Sequence, residues 1–145
     1  MTTVRTILGS KGSVVYTVGP EVLVIDALRI MSEKNIGVLV VLTGTDVGGI
    51  FSERDYARRV TLHGRSADAT PIAEVMTTGV VSVGPDESID DCMALMTARH
   101  IRHLPVLQEG HLVGMISIGD VVKAIVSERE HTIQQLTNYI TGSRA

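Results

Sequence analysis

Two stretches of the chain share one spacing of chemically capable residues. Gly49–Asp55 reads GIFSERD and Gly114–Asp120 reads GMISIGD. In each, a serine hydroxyl stands three residues before a carboxylate. Ser-x-x-Asp ahead of an apolar-periodic segment is close to a capping box, in which the two side chains satisfy backbone N–H groups at a helix start. The same residues could equally form half of a binding site, because an ionised carboxylate only accepts hydrogen bonds and first-turn N–H groups favour an anion. The surrounding elements determine what these residues can reach.

Those elements are duplicated. Gly19-Pro20 recurs as Gly84-Pro85, an offset of 65. Asp26, Met31, Ile36, Leu39 and Val41 meet Asp91, Met96, Ile101, Leu104 and Val106 at the same offset, and no gap is needed. Each copy reads strand, helix, strand, strand, helix. The runs VVYTV and VVSV are short β-rich segments ended by Gly-Pro. Val24, Leu28 and Met31, like Ile89, Met93 and Met96, follow i, i+4, i+7 and predict a helix with one buried stripe. Ser88 with Asp91 resembles a capping box, whereas the first copy has Leu23 at that place. GVLVVLT and HLPVLQ predict buried strands, followed after TGTD and EG by VGGIF and LVGMIS. The last helix of each copy begins near SERDYARRV or SIGDVVKAI. A unit of about 46 residues buries its own sheet faces poorly. Two units packed through their sheets would create a pseudo-two-fold axis with paired clefts. The expected fold class is α/β of the α+β type, built from tandem β-α-β-β-α units. The expected organisation is a lead-in at 1–14, repeat 1 at 15–60, a linker at 61–79, repeat 2 at 80–126 and a C-terminal helix at 127–145. Ile133, Leu136 and Ile140 would line one side of that last helix, as a dimer contact or a cover for its own core.

Bulk properties narrow the function classes. The 145 residues are 44% apolar and 3% aromatic, without Trp, so aliphatic residues and six Met must fill the core. A formal charge of −3 and few stacking rings argue against nucleic-acid binding. The longest apolar run, Val38 to Leu42, is far short of a membrane span, and the N-terminus has no secretory pattern. Cytoplasmic residence is the default expectation. Cys92 is the single cysteine, which excludes an intrachain disulfide, and it is expected to pack as a small hydrophobe. The five histidines show no metal-ligand spacing. GSKGS, Gly9 to Ser13, lacks phosphate-loop spacing and reads as a flexible lead-in.

The duplicated G-x-x-S-x-x-D motif, DCMALMTARHIRHLPV and VMTTGVVSV together resemble a CBS-domain pair, or Bateman module. The tail HTIQQLTNYITG is similar to that of stand-alone bacterial and plant-organelle members. The resemblance implies adenosine-containing ligands (AMP, ADP, ATP, NAD or S-adenosylmethionine) in the clefts between repeats, and disc-like homodimers. It implies that the motif Asp takes ribose hydroxyls, that the motif Ser lies near the α-phosphate, and that the base rests on the partner repeat's first strand. One site then has Ser52 and Asp55 facing Val81 and Ser82. The other has Ser117 and Asp120 facing Thr17, Val18 and Val38, while Arg102 and His103 match phosphate-contacting positions.

The chemistry suits these roles. A cis-diol offers two O–H donors to a carboxylate, and a hydrogen bond to a charged group contributes roughly 1.5–3 kcal/mol. Arg54, Arg102 and His103 gather cations where a polyphosphate would lie. The sites are unequal: Arg54 is replaced by Gly119 in copy two, and Arg102 and His103 by Gly37 and Val38 in copy one. Arg58, Arg59 and Arg65 read chiefly as a solvated face. The expected function is a non-enzymatic nucleotide-sensing module acting on an unidentified regulated protein, without nucleic-acid or membrane partners. The alternatives are a structural dimerisation module with vestigial clefts and a small nucleotide-hydrolysing enzyme, for which the sequence supplies no evident base, nucleophile or metal set.

Overall fold

In the computed structural model, which describes residues 1–142, the duplicated pattern becomes two small sheets, each with its own aliphatic core. The chain runs α1 (Val4–Lys11), β1 (Thr17–Val18), α2 (Val24–Lys34), β2 (Val38–Thr43), β3 (Asp46–Ser52) and α3 (Glu53–Asp55), which continues as a π-helix at Tyr56–Thr61. A 3-10 turn at Ile72–Glu74 precedes α4 (Ile89–Arg99), β4 (His103–Gln108), β5 (His111–Ser117) and α5 (Ile118–Thr141).

The two hairpins superimpose residue for residue on the 65-residue offset. Val41 faces Gly49 and Val106 faces Gly114, and each hairpin shifts register immediately after that pair. Both first helices end on a left-handed residue, Asn35 and His100, each with φ 54°. The short first strand differs. β1 runs parallel to β2, and the Val40 N–H donates to the Tyr16 carbonyl. Pro105 occupies the equivalent of Val40 and has no N–H to donate. The expected strand VVSV is therefore reduced to a single bridge between Val83 and Val106, and VVYTV to Thr17–Val18.

The N-terminal stretch departs from the expected flexible lead-in. α1 places Val4 and Ile7 in the core of repeat 2, alongside Ile89, Cys92, Met96 and Ile116. Ile72 and Val75, from the segment leading into repeat 2, lie in the core of repeat 1. The backbone bonds of the two segments correspond: Val4 and Arg5 donate to Glu87 and Pro85, while Ile72 and Ala73 donate to Val22 and Pro20. Each repeat is thus completed by the segment that precedes the other. The exchange also explains how α2 starts without a capping side chain. Val24 and Ile25 N–H groups donate to the Thr70 and Ala67 carbonyls, at 2.9 and 3.1 Å. At α4 the Ser88 hydroxyl accepts from Asp91 N–H, and the Ile89 N–H donates to Thr2.

The C-terminal region also differs from the expected pair of helices. α5 is one continuous helix of 24 residues, because no glycine or proline interrupts it between Gly119 and Gly142. Ile133, Leu136 and Ile140 are largely exposed, so this stripe covers none of the chain's own core. The three final residues of the expected terminal helix lie outside the described residues. Cys92 is fully buried, and burial, with smaller contributions from Glu87 and Asp91, pushes its thiol up to about 11. Among the described residues, no helix is long and apolar enough to cross a membrane.

Candidate functional site

Both Ser-x-x-Asp motifs form reciprocal capping boxes. Ser52 Oγ accepts from the Asp55 N–H at 3.2 Å, and Asp55 Oδ2 accepts from the Ser52 N–H at 2.9 Å. Ser117 Oγ accepts from the Asp120 N–H at 3.1 Å, and Asp120 Oδ2 accepts from the Ser117 N–H at 2.8 Å. Each carboxylate is thereby fixed at a strand-to-helix junction.

The carboxylates then part company. Asp55 is only 7% exposed, and its Oδ1 accepts from the Thr77 hydroxyl at 3.0 Å, with Arg59 Nε 3.7 Å away. Asp120 is more open and meets a full cation, Lys11 Nζ, at 2.7 Å from Oδ2. Burial alone would raise the Asp120 pKa, but the bonds from Lys11 and Ser117 outweigh it and hold the carboxyl below its usual range. His103 is pushed below its ordinary value, chiefly by burial and further by Lys11 and Arg102, with Asp120 opposing.

Two clefts of about 360 Å³ each open beside these junctions. The first gathers Ser52, Arg54 and Asp55 from repeat 1 with Ile101, Arg102 and His103 from repeat 2, and Thr77 from the exchanged segment. The second gathers Ser117 and Met115 with Val15, Tyr16 and Val38, and Lys11 from the exchanged segment. Val38 and His103, equivalent by the 65-residue offset, line both clefts and mark where these meet. The structure therefore brings together six of the sequence-predicted residues in the first cleft: Val38, Ser52, Arg54, Asp55, Arg102 and His103.

Other expected residues lie elsewhere. Val18 is buried in its own repeat's core, and Thr17 borders a separate depression near the hairpin turns with Thr45 and His111. Val81 packs against the repeat 2 core, and Ser82 is exposed and lines neither cleft. Once β1 joins the sheet, Val18 turns to its own core and Thr17 to the opposite side, and the preceding Val15 and Tyr16 line the second cleft instead. Asp120 does not itself line the second cleft; its ion-pair partner Lys11 does. Of the expected surface cations, Arg59 donates to the Met76 carbonyl at 2.9 Å and Arg65 pairs with Glu74, while Arg58 is exposed.

Lys11, Tyr16, Glu53 and Thr77 were not expected at the clefts. Thr77 and Lys11 had a signal: TVRTIL at Thr3–Leu8 matches PIAEVM at Pro71–Met76 in apolar pattern, at an offset of 68 instead of 65. The motif glycines respond to the same exchange. A Cβ on Gly49 would lie 2.9 Å from the Thr77 carbonyl oxygen, and one on Gly114 would lie 2.7 Å from Leu8. They admit the exchanged segments, not a ligand. Chemically, the first cleft offers a helix start, a hydroxyl, a fixed carboxylate and arginines, and the second offers the Ser117 helix start and Lys11, which is paired with Asp120. Among the described residues, no three His, Cys, Asp or Glu gather to hold a metal ion.

A family model for the CBS domain matches residues 12–61 and 72–127. The mitochondrial CBS domain-containing protein CBSX3 of Arabidopsis thaliana is 40% identical over 124 residues, covering 82% of this chain. This chain spans only 60% of that plant protein's length. The CBS domain-containing protein YhcV of Bacillus subtilis is 33% identical over 129 residues, which are 89% of this chain and 84% of that protein. A solved structure of a protein with CBS domains from Burkholderia ambifaria MC40-6 has a TM-score of 0.84 at 51% identity. It covers 87% of this chain and 95% of its own.

Proposed function

This chain belongs to the CBS-domain family, and from that premise we propose that it is a regulatory module that binds an adenosine-containing ligand between its repeats and performs no chemistry. AMP, ADP, ATP, NAD and S-adenosylmethionine are the ligands this reading considers. The observation that carries it is the first cleft, where a fixed Ser-Asp helix start and its Arg54 meet Arg102 and His103 of the other repeat. The carboxylate suits a ribose diol, and the two arginines suit phosphate. Occupancy alters the relation between the repeats, and an as yet unidentified partner protein reads that difference. Such control requires unequal affinity for two arrangements of the module. The module acts as a homodimer in this reading.

A melting-temperature screen against the five ligands tests it, because a ligand selective for the native state raises apparent stability. At a hundredfold excess over Kd the gain is about 2.7 kcal/mol, a shift of several degrees for a domain of this size. Absence of a shift with all five ligands sinks the reading.

A dimerisation module with unused clefts is the second reading, favoured by the full engagement of both Asp55 oxygens. Since both motif carboxylates cap helices, Asp55→Ala and Asp120→Ala lower the melting temperature under either reading. The discriminating quantity is the ligand-induced increment. It is present in the parent and reduced in the variants if the clefts bind, and zero throughout if they do not.

A further inference from the structure

Resting on the nucleotide reading above, we propose that Lys11 makes the Ser117/Asp120 cleft selective for phosphorylated nucleosides over nucleosides. Lys11 sits in the last turn of α1, immediately before Gly12 ends that helix. Its ammonium donates to Asp120 Oδ2 at 2.7 Å and to the Met115 carbonyl at 3.1 Å. The base of the side chain is held in place, because Val4 and Ile7 lie in the repeat 2 core. The flexible four-carbon stem leaves the ammonium free to move.

The first cleft is built differently. At the 68-residue offset Lys11 corresponds to Gly79, and the carboxylate there takes a neutral hydroxyl from Thr77. Its nearby cation, Arg59, already donates to the Met76 carbonyl. A diol arriving at Asp55 therefore exchanges one hydroxyl for another. A diol arriving at Asp120 displaces a permanent charge from a charge-assisted hydrogen bond.

That displacement sets the selectivity. An uncharged nucleoside leaves the Lys11 ammonium without an anion. A phosphate on the same ligand supplies a new anion within reach of the stem, so the ion pair is exchanged, not lost. The other cation-capable group lining this cleft is His103, which burial and the neighbouring Lys11 and Arg102 charges hold toward its neutral form. Lys11 is thus the standing positive charge of the cleft.

The test uses the full chain labelled at methionine methyl groups and titrated by NMR with AMP and with adenosine. Met115 lines the second cleft and reports on it; Met76, beside Gly49 and Thr77, reports on the first. In the parent, the Met115 signal should respond to AMP at least about tenfold more tightly than to adenosine. Lys11→Gln should bring the two affinities within about threefold, and Lys11→Arg should keep the discrimination. An unchanged ratio in Lys11→Gln, or equal affinities in the parent, overturns the role of Lys11 and leaves the nucleotide reading intact. So does a Met115 signal that stays still while Met76 responds. No response at any methyl to either ligand removes both.

Discussion

At Asp55 and Asp120 one spacing of residues ends in two electrostatic situations. Asp55 is closed over by Thr77 and Arg59, whereas Asp120 shares its charge with Lys11 and stands close to His103. The second situation has a pH signature. The folded pKa of His103 lies below its ordinary value, so between the two values the native state holds fewer protons than the unfolded chain, and stability rises with pH. Asp120 is also held below its usual range, so its contribution is present above that range and is lost as pH falls through its folded pKa. Urea midpoints should therefore fall as pH drops from about 7 to about 5, where histidine titrates. His103→Gln should flatten that part of the curve and leave the loss on the carboxylate side, below about pH 4. A midpoint that climbs on acidification contradicts the assignment. The Ser-Asp pairs themselves were legible as caps, because the capping box is a local sequence pattern. Lys11 was not, since its role depends on a helix whose packing partner lies more than a hundred residues away.

At the scale of elements, most of the fold could be read because apolar periodicity and the Gly-Pro punctuation recur at a constant offset. What escaped the reading was α1. Three extra residues between α1 and β1 break the register, so this segment repeats at an offset of 68 while the rest repeats at 65. The first strands were over-read for a different reason: VVSV has strand composition, but Pro105 removes the donor that would have paired with it. The exchanged segments make a prediction about the motif glycines. In Gly49→Ala the new methyl meets the Thr77 backbone carbonyl, and in Gly114→Ala it meets the end of the Leu8 side chain. Backbone yields less readily than a side-chain terminus. Gly49→Ala should cost about 2–3 kcal/mol in a urea titration and Gly114→Ala about 1 kcal/mol, within the usual range for overpacking. The reverse order would mean that the Leu8 contact is the stiffer one.

At the scale of the whole molecule, neither core is made by one continuous stretch of chain. Val4 and Ile7 serve repeat 2, and Ile72 and Val75 serve repeat 1. The two repeats should consequently unfold together. Ile7→Ala, which removes buried volume from one core, should lower the single transition by about 2–4 kcal/mol without splitting it. The check is coincidence of two probes, methyl signals from Met31 in repeat 1 and Met96 in repeat 2, across one urea titration. Two separated transitions would show that the cores are energetically independent. Cooperativity of this kind would suit the proposed ligand-sensing role, because each cleft is lined by a residue of an exchanged segment, Thr77 in one and Lys11 in the other.

The crossing of the two lead segments has a further consequence. A chain consisting of one lead segment and its following repeat would have no partner for its own lead, and would find one only on a second copy. The present architecture is in that sense a domain-swapped dimer joined end to end. The tether replaces a concentration-dependent encounter by an intramolecular one, with the effective concentration set by the connecting segment at 61–69. Assembly of the clefts is then independent of how much protein is present. The joined halves do not have to be identical, and they differ where charge matters: Arg54 stands opposite Gly119, and Lys11 opposite Gly79.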